Sequence, residues 1–131
     1  MALGLSRIFG IQLPVNFLSP YKATSLIDFW RRWHVSLSDF LRNYVYIPLG
    51  GNRQGTFRRH LNIMITMTLG GIWHGSGSTF LVWGAIHGTL LIGNHMLSRG
   101  SAGSGHSFTG FSRMLRIAAT FLCVTACWVI F

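Results

Sequence analysis

Acidic residues are almost missing from this chain. Asp28 and Asp39 are its only carboxylate side chains among 131 residues, against eleven lysines and arginines. The shortage leaves no Ser/His/Asp constellation in view, since neither acid lies near the segment around His74 in sequence. It also deprives the histidines of oxygen co-ligands. The six, at positions 34, 60, 74, 87, 95 and 106, make no H-E-x-x-H and no pair four apart, so no metal site is expected. Cysteine is just as scarce. Cys123 and Cys127 lie four apart in the last apolar segment. A disulfide between them would strain a helix, and the spacing fits no zinc motif, so two thiols are expected. The glycine-rich GGNRQG at 50–55 lacks the Lys-Ser/Thr ending of a phosphate loop and reads as a turn.

What is abundant is apolar surface. Half of the residues are hydrophobic and a tenth are charged, where a soluble domain carries about a quarter. Residues 60–98, bracketed by Arg59 and Arg99, contain no Asp, Glu, Lys or Arg. A spanning helix needs about 20 apolar residues. The stretch therefore holds one long broken span or two short ones. Arg31, Arg32, Arg42, Arg53, Arg58 and Arg59 crowd just before it, the cationic flank expected on the cytoplasmic side. A formal charge of +9 would suit nucleic acid, but its placement beside apolar spans argues for membrane lipid instead and no nucleic-acid partner is expected.

The expected architecture is all-α: part of a polytopic membrane protein with transmembrane, re-entrant and interfacial amphipathic helices. Residues 1–24 form a leading segment, with a short helix near 2–10 and then an irregular link through Pro14 and Pro20. Residues 25–60 hold an amphipathic helix and a basic loop. Ser25-x-x-Asp28 resembles a capping box, and Leu26, Trp30, Trp33, Leu37, Leu41 and Tyr44 recur at helical spacing. One helix of about 18 residues is predicted from that periodicity. Its charges forbid spanning, so it should lie in the interface or cap a bundle. His34 is placed in the apolar stripe between Trp30 and Leu37. Residues 61–97 contain the membrane segments, Leu61–Ile72 and Thr79–Leu97, separated by a soft break at WHGSG. Residues 98–131 comprise a Gly/Ser-rich linker and the start of a further span. No signal peptide is expected at Met1, and both ends read as interior to a longer membrane protein.

The chemistry that remains lies with histidine. An imidazole takes a proton from a hydroxyl and passes one on near neutral pH. Irregular backbone at membrane depth belongs where it is buried in protein or lines a cavity, and an ionisable residue there is a functional candidate. His74, with Gly75 and Gly77 beside it, is the first candidate; the competing reading is a histidine hydrogen-bonded between helices. His34 is its companion, or a tucked-in histidine with one bond. His87 reads as a helix-packing residue. Trp73 and Trp83 fit interface anchors, and Trp73 equally fits a tunnel wall. The arginines fit positive-inside topology or the greeting of an anionic carrier.

FWRRWHVSLSDFLRNYVYIPLGGNR at 29–53, Asn62, and GGIWHGSGSTFLVWGAIHG at 70–88 resemble the membrane-bound O-acyltransferase family, with the branch that O-acetylates alginate as the nearest in pattern and the teichoic-acid D-alanylation branch related to it. MALGLSRIFGIQLPVNFLSPY at 1–21 resembles the segment preceding these motifs. The resemblance implies an acyltransferase with a central tunnel in the bacterial inner membrane, its basic loops cytoplasmic. It implies His74 as base or acyl-positioning residue and His34 near the same tunnel, with Trp33, Trp73, Gly75 and Asn62 as tunnel candidates. It further implies no bound cofactor, acetyl-CoA or an acyl carrier thioester as donor, a polysaccharide acceptor, and periplasmic acetyltransferase partners. Two other outcomes stay open: a non-catalytic or truncated membrane subunit, and a lipid or teichoic-acid acyltransferase.

Overall fold

The computed structural model describes residues 2–75, 77–100 and 110–129. Among them every regular element is helical: α1 (Ala2–Ile8), a 3₁₀ turn (Pro20–Lys22), α2 (Leu26–Arg32), α3 (Val35–Leu41), a π turn (Arg42–Tyr46), α4 (Gly55–His74), α5 (Ser78–Gly100) and α6 (Gly110–Trp128). The expected linker at 98–110 begins as helix through Gly100, and its remainder, 101–109, lies outside the described residues.

The two long helices α4 and α5 form an antiparallel hairpin, the dominant packing of the chain. At 1.5 Å per residue they are about 30 and 35 Å long, enough to cross a hydrocarbon core of about 30 Å. By length and composition, Ser78–Ser98 and Gly110–Trp128 qualify as membrane spans. The hairpin closes through glycine. A Cβ on Gly84 would stand 2.6 Å from the Met67 carbonyl oxygen and 2.9 Å from Thr68 Cα, and a Cβ on Gly71 would run into the Phe80 carbonyl. Both helix backbones touch here, as small residues permit in membranes.

Helix α2 starts as its sequence predicts. Ser25 is extended (φ −159°), and its Oγ accepts the Asp28 amide at 3.1 Å. Asp28 reaches back to the Thr24 amide (3.2 Å) and along the helix to Arg32 Nε (2.8 Å). Its apolar face drives Leu26 and Phe29 into a core completed by Ala23, Val124 and the flanking Trp30, Trp33, Leu90, Leu91, Cys123 and Trp128. This core ties α2 to α5 and α6. Cys123 and Cys127 are free thiols.

The predicted single amphipathic helix is instead divided. Helix α2 stops at Arg32, Trp33 is extended, and His34 turns left-handed (φ 45°, ψ 57°) before α3 begins. Helix α3 and the π turn then run beside α4, with Leu41 packed at Gly70 and the following turn tied to Asn62. The cause of the break lies outside the helix. Asn16 accepts the Val35 amide at its carbonyl (3.0 Å) and the Ser36 amide at Oδ1 (3.0 Å), while Leu18 donates to Arg32 O (2.9 Å). A distant loop residue therefore supplies the cap for α3.

A histidine cavity at the tip of the hairpin

His74 is the last residue of α4. Gly75 ends the helix in an extended conformation (φ 172°), which any residue adopts; what requires glycine is space. A Cβ there would meet the Phe80 ring, with Cδ2 and Cζ 2.8 Å away. The soft break expected from WHGSG is thus real, and α5 restarts at Ser78.

His34 reaches the same place from the α2–α3 break. A left-handed non-glycine residue costs about 1–3 kcal/mol and persists only where the surroundings impose it; here Asn16 and the Ser38 side chain do so, Ser38 Oγ donating to Trp33 O at 3.2 Å. The two histidine motifs meet through aromatic rings. His34 lies 6.1 Å from Trp73, Trp73 lies 5.2 Å from His74, and His74 lies 5.5 Å from Trp83, each pair steeply inclined. The His74 imidazole is near enough to His34 to feel its charge.

Two cavities converge on His74. One, of about 140 Å³, is walled by Trp30, Leu37, Leu41, Met67 and Trp83, with Ser38, Arg42 and Thr66 as its polar groups. The other, of about 420 Å³, is lined by Trp33, His74, Trp83 and Trp128. His74 and Trp83 belong to both. The smaller is an apolar chamber with two hydroxyl residues and an arginine on its wall; the larger is an aromatic cleft. A single imidazole between them can serve a group held on either side.

Of the residues singled out from sequence, His74, His34, Trp33, Trp73 and Gly75 are brought together. Trp73 is 62% exposed and faces outward beside His34. Asn62 is placed elsewhere. It is 1% exposed, and its Nδ2 donates to the carbonyls of Leu49 (3.1 Å) and Gly51 (3.0 Å), clamping the Gly50-Gly51 turn onto α4. At that same basic end, burial pushes the Tyr46 hydroxyl above its ordinary pKa, against the opposing pull of Arg59. Among the described residues no group of three His, Cys, Asp or Glu could hold a metal.

Sequence reasoning missed Trp83, Trp30 and Met67 as cavity walls. Trp83 is 5% exposed, packed inside the protein against Trp30 and His87. The signal was present: Trp83 and His87 are four apart and share one face of α5.

The model of the membrane-bound O-acyltransferase family matches residues 1–130. The whole chain is 47% identical to the probable alginate O-acetylase AlgI of Pseudomonas fluorescens, of which it covers 25%. It is 44% identical over its full length to the peptidoglycan O-acetyltransferase of Helicobacter pylori, covering 24% of that protein. With the teichoic acid D-alanyltransferase of Bacillus subtilis it shares 32% identity over 99 residues, 69% of this chain and 25% of that one. The chain thus spans about a quarter of the length of the curated relatives it matches. That match covers nearly every residue, and the chain belongs to the membrane-bound O-acyltransferase family.

Proposed function

We propose that this chain is the catalytic-core segment of a membrane O-acyltransferase. It moves an acyl group, acetyl first of all, from a cytoplasmic thioester to hydroxyls of an exported polysaccharide such as alginate. The observation that carries the reading is the place of His74, the imidazole common to an apolar chamber and an aromatic cleft.

The reaction needs one proton carrier. His74 takes the proton from the acceptor hydroxyl as that oxygen attacks the thioester carbonyl; the C–S bond then breaks, and the proton is handed to the departing thiolate. The small chamber suits a short acyl chain, and Arg42 and Ser38 offer it polar contacts. Shielding from bulk water favours transfer over hydrolysis. His34 positions this end of the hairpin through Trp73.

The donor is acetyl-CoA or an acyl carrier thioester, with no resident cofactor. The protein resides in the bacterial inner membrane with its arginine-rich loops on the cytoplasmic side. Periplasmic acetyltransferase proteins are its partners in delivering the group to polymer. The similarity to a peptidoglycan O-acetyltransferase supports a second reading, with a wall polymer as acceptor.

Labelled acetyl-CoA supplied to the cytoplasmic face of membrane vesicles tests this. Label recovered as ester on added alginate supports the first reading, and label on peptidoglycan fragments the second. Labelled D-alanine ester on teichoic acid would move the protein to the D-alanylation branch. No transfer to any acceptor would leave a non-catalytic subunit.

A further inference from the structure

His87 is 0% exposed, and neither ring nitrogen has a hydrogen-bond partner among the described residues. A phenylalanine would fill such a position without two buried polar atoms. Its neighbours explain the choice. The Trp30 ring stands 5.2 Å away at 89°, and Trp30 Nε1, also buried, likewise lacks a partner. Indole has a donor and no acceptor, and neutral imidazole has one acceptor nitrogen. The two unfilled groups are complementary in chemistry, and their rings are in contact although no hydrogen bond joins them in this structure. On the other side the Trp83 ring lies 4.6 Å from His87, and Trp30 and Trp83 are themselves 5.8 Å apart. Both indoles wall the chamber that holds His74.

We propose that His87 is a positioning residue: a small rotation of the two touching rings brings its acceptor nitrogen onto the Trp30 indole N–H and so fixes the aromatic wall against which His74 and its acyl group sit. No charge is involved, since a fully enclosed imidazole without a carboxylate stays neutral. The part concerning the acyl group rests on the acyltransferase reading; the coupling of the two rings does not.

The experiment separates these. Thermal midpoints of the full-length protein in detergent are measured for Trp30→Phe, His87→Phe and the pair. Each single change is expected to lower the midpoint by about 2–5 °C, and the double no further than the worse single. Additive shifts would overturn the proposal, whether or not the protein transfers acyl groups. Acyl-transfer rates follow. His87→Phe is expected to lower kcat about tenfold with donor KM little changed, a loss made in the transition state. His87→Asn, which retains an acceptor, is expected to recover most of it. A parent-like kcat in His87→Phe, or His87→Asn as damaged as His87→Phe at equal membrane level, would overturn it. Should His87→Phe fail to accumulate, Trp30→Phe decides alone: it deletes the donor, and a parent-like midpoint and kcat would sink the idea.

Discussion

His34 stands perpendicular to Trp73, their ring centroids 6.1 Å apart. This contact joins two motifs separated by α3, the π turn, a loop and nearly all of α4. His34 holds its place through a left-handed backbone, so its ring and its backbone can be tested separately. His34→Gly keeps the conformation and removes the ring; His34→Gln keeps a polar side chain but retains the φ penalty. Both are expected to lower acyl transfer about tenfold, less than loss of a general base, which costs about 10²–10⁴. Rates for the two variants in membrane vesicles check this. Parent-like transfer by His34→Gly would confine His34 to a backbone role.

Asn16 caps α3 from a distance. Asn16→Ala removes the acceptor of the Ser36 amide and is expected to destabilise the protein by about 1 kcal/mol, the usual value of a cap. Because the same bonds shape the break at His34, transfer should fall as well. Thermal unfolding and rate measured on one preparation check the pairing of effects; a stability loss with unchanged rate would disconnect the cap from the site.

The hairpin tolerates little at its crossing. Gly84→Leu drives a side chain into Met67 O and Thr68 Cα, backbone atoms that no rotamer can clear. A loss of about 3 kcal/mol or more is expected, above the usual range for overpacking because helices must separate. Membrane abundance and detergent melting read it. Gly93→Ala, where nothing lies within 4 Å of an added Cβ, serves as the neutral control.

Asn62 holds the turn that follows the π turn. Asn62→Leu keeps the branched outline of the side chain and removes the Nδ2 donor from the Leu49 and Gly51 carbonyls. Loss of about 1–3 kcal/mol is expected from the stranded carbonyls. Faster tryptic cleavage at the exposed Arg53 is the local readout, and unchanged cleavage would contradict the clamp.

Met67 limits the small chamber together with Leu37 and Leu41. Met67→Ala is expected to shift preference from acetyl toward butyryl donors by about tenfold, the discrimination that a pocket achieves per methylene or two. Competition between labelled donors measures it. A uniform loss for both chain lengths would mean that this wall does not face the acyl group.

Much of this was legible in the sequence because it is local. The Ser25 cap, the uncharged span, a break within WHGSG and the restart near Thr79 are set by residues within a turn or two of each feature; the helix before the break runs two residues past the expected Ile72, to His74. The break at His34 was not legible: periodicity from Leu26 to Tyr44 continues through it, and the residue that causes it, Asn16, is 18 positions from His34. Asn62 was drawn toward the tunnel by motif, whereas its partners are two carbonyls of a loop that composition marks only as a turn. Trp83 read as an interface anchor because burial between helices depends on which elements pack against α5, and α2 supplies Trp30 there.

The central claim is that His74 performs the chemistry. His74→Ala at the native locus, with membrane level matched to the parent, measures it through acyl ester on the exported polysaccharide. The account predicts that ester falls to background while the protein remains at normal level. Ester retained at normal protein level would contradict it and return His74 to helix packing.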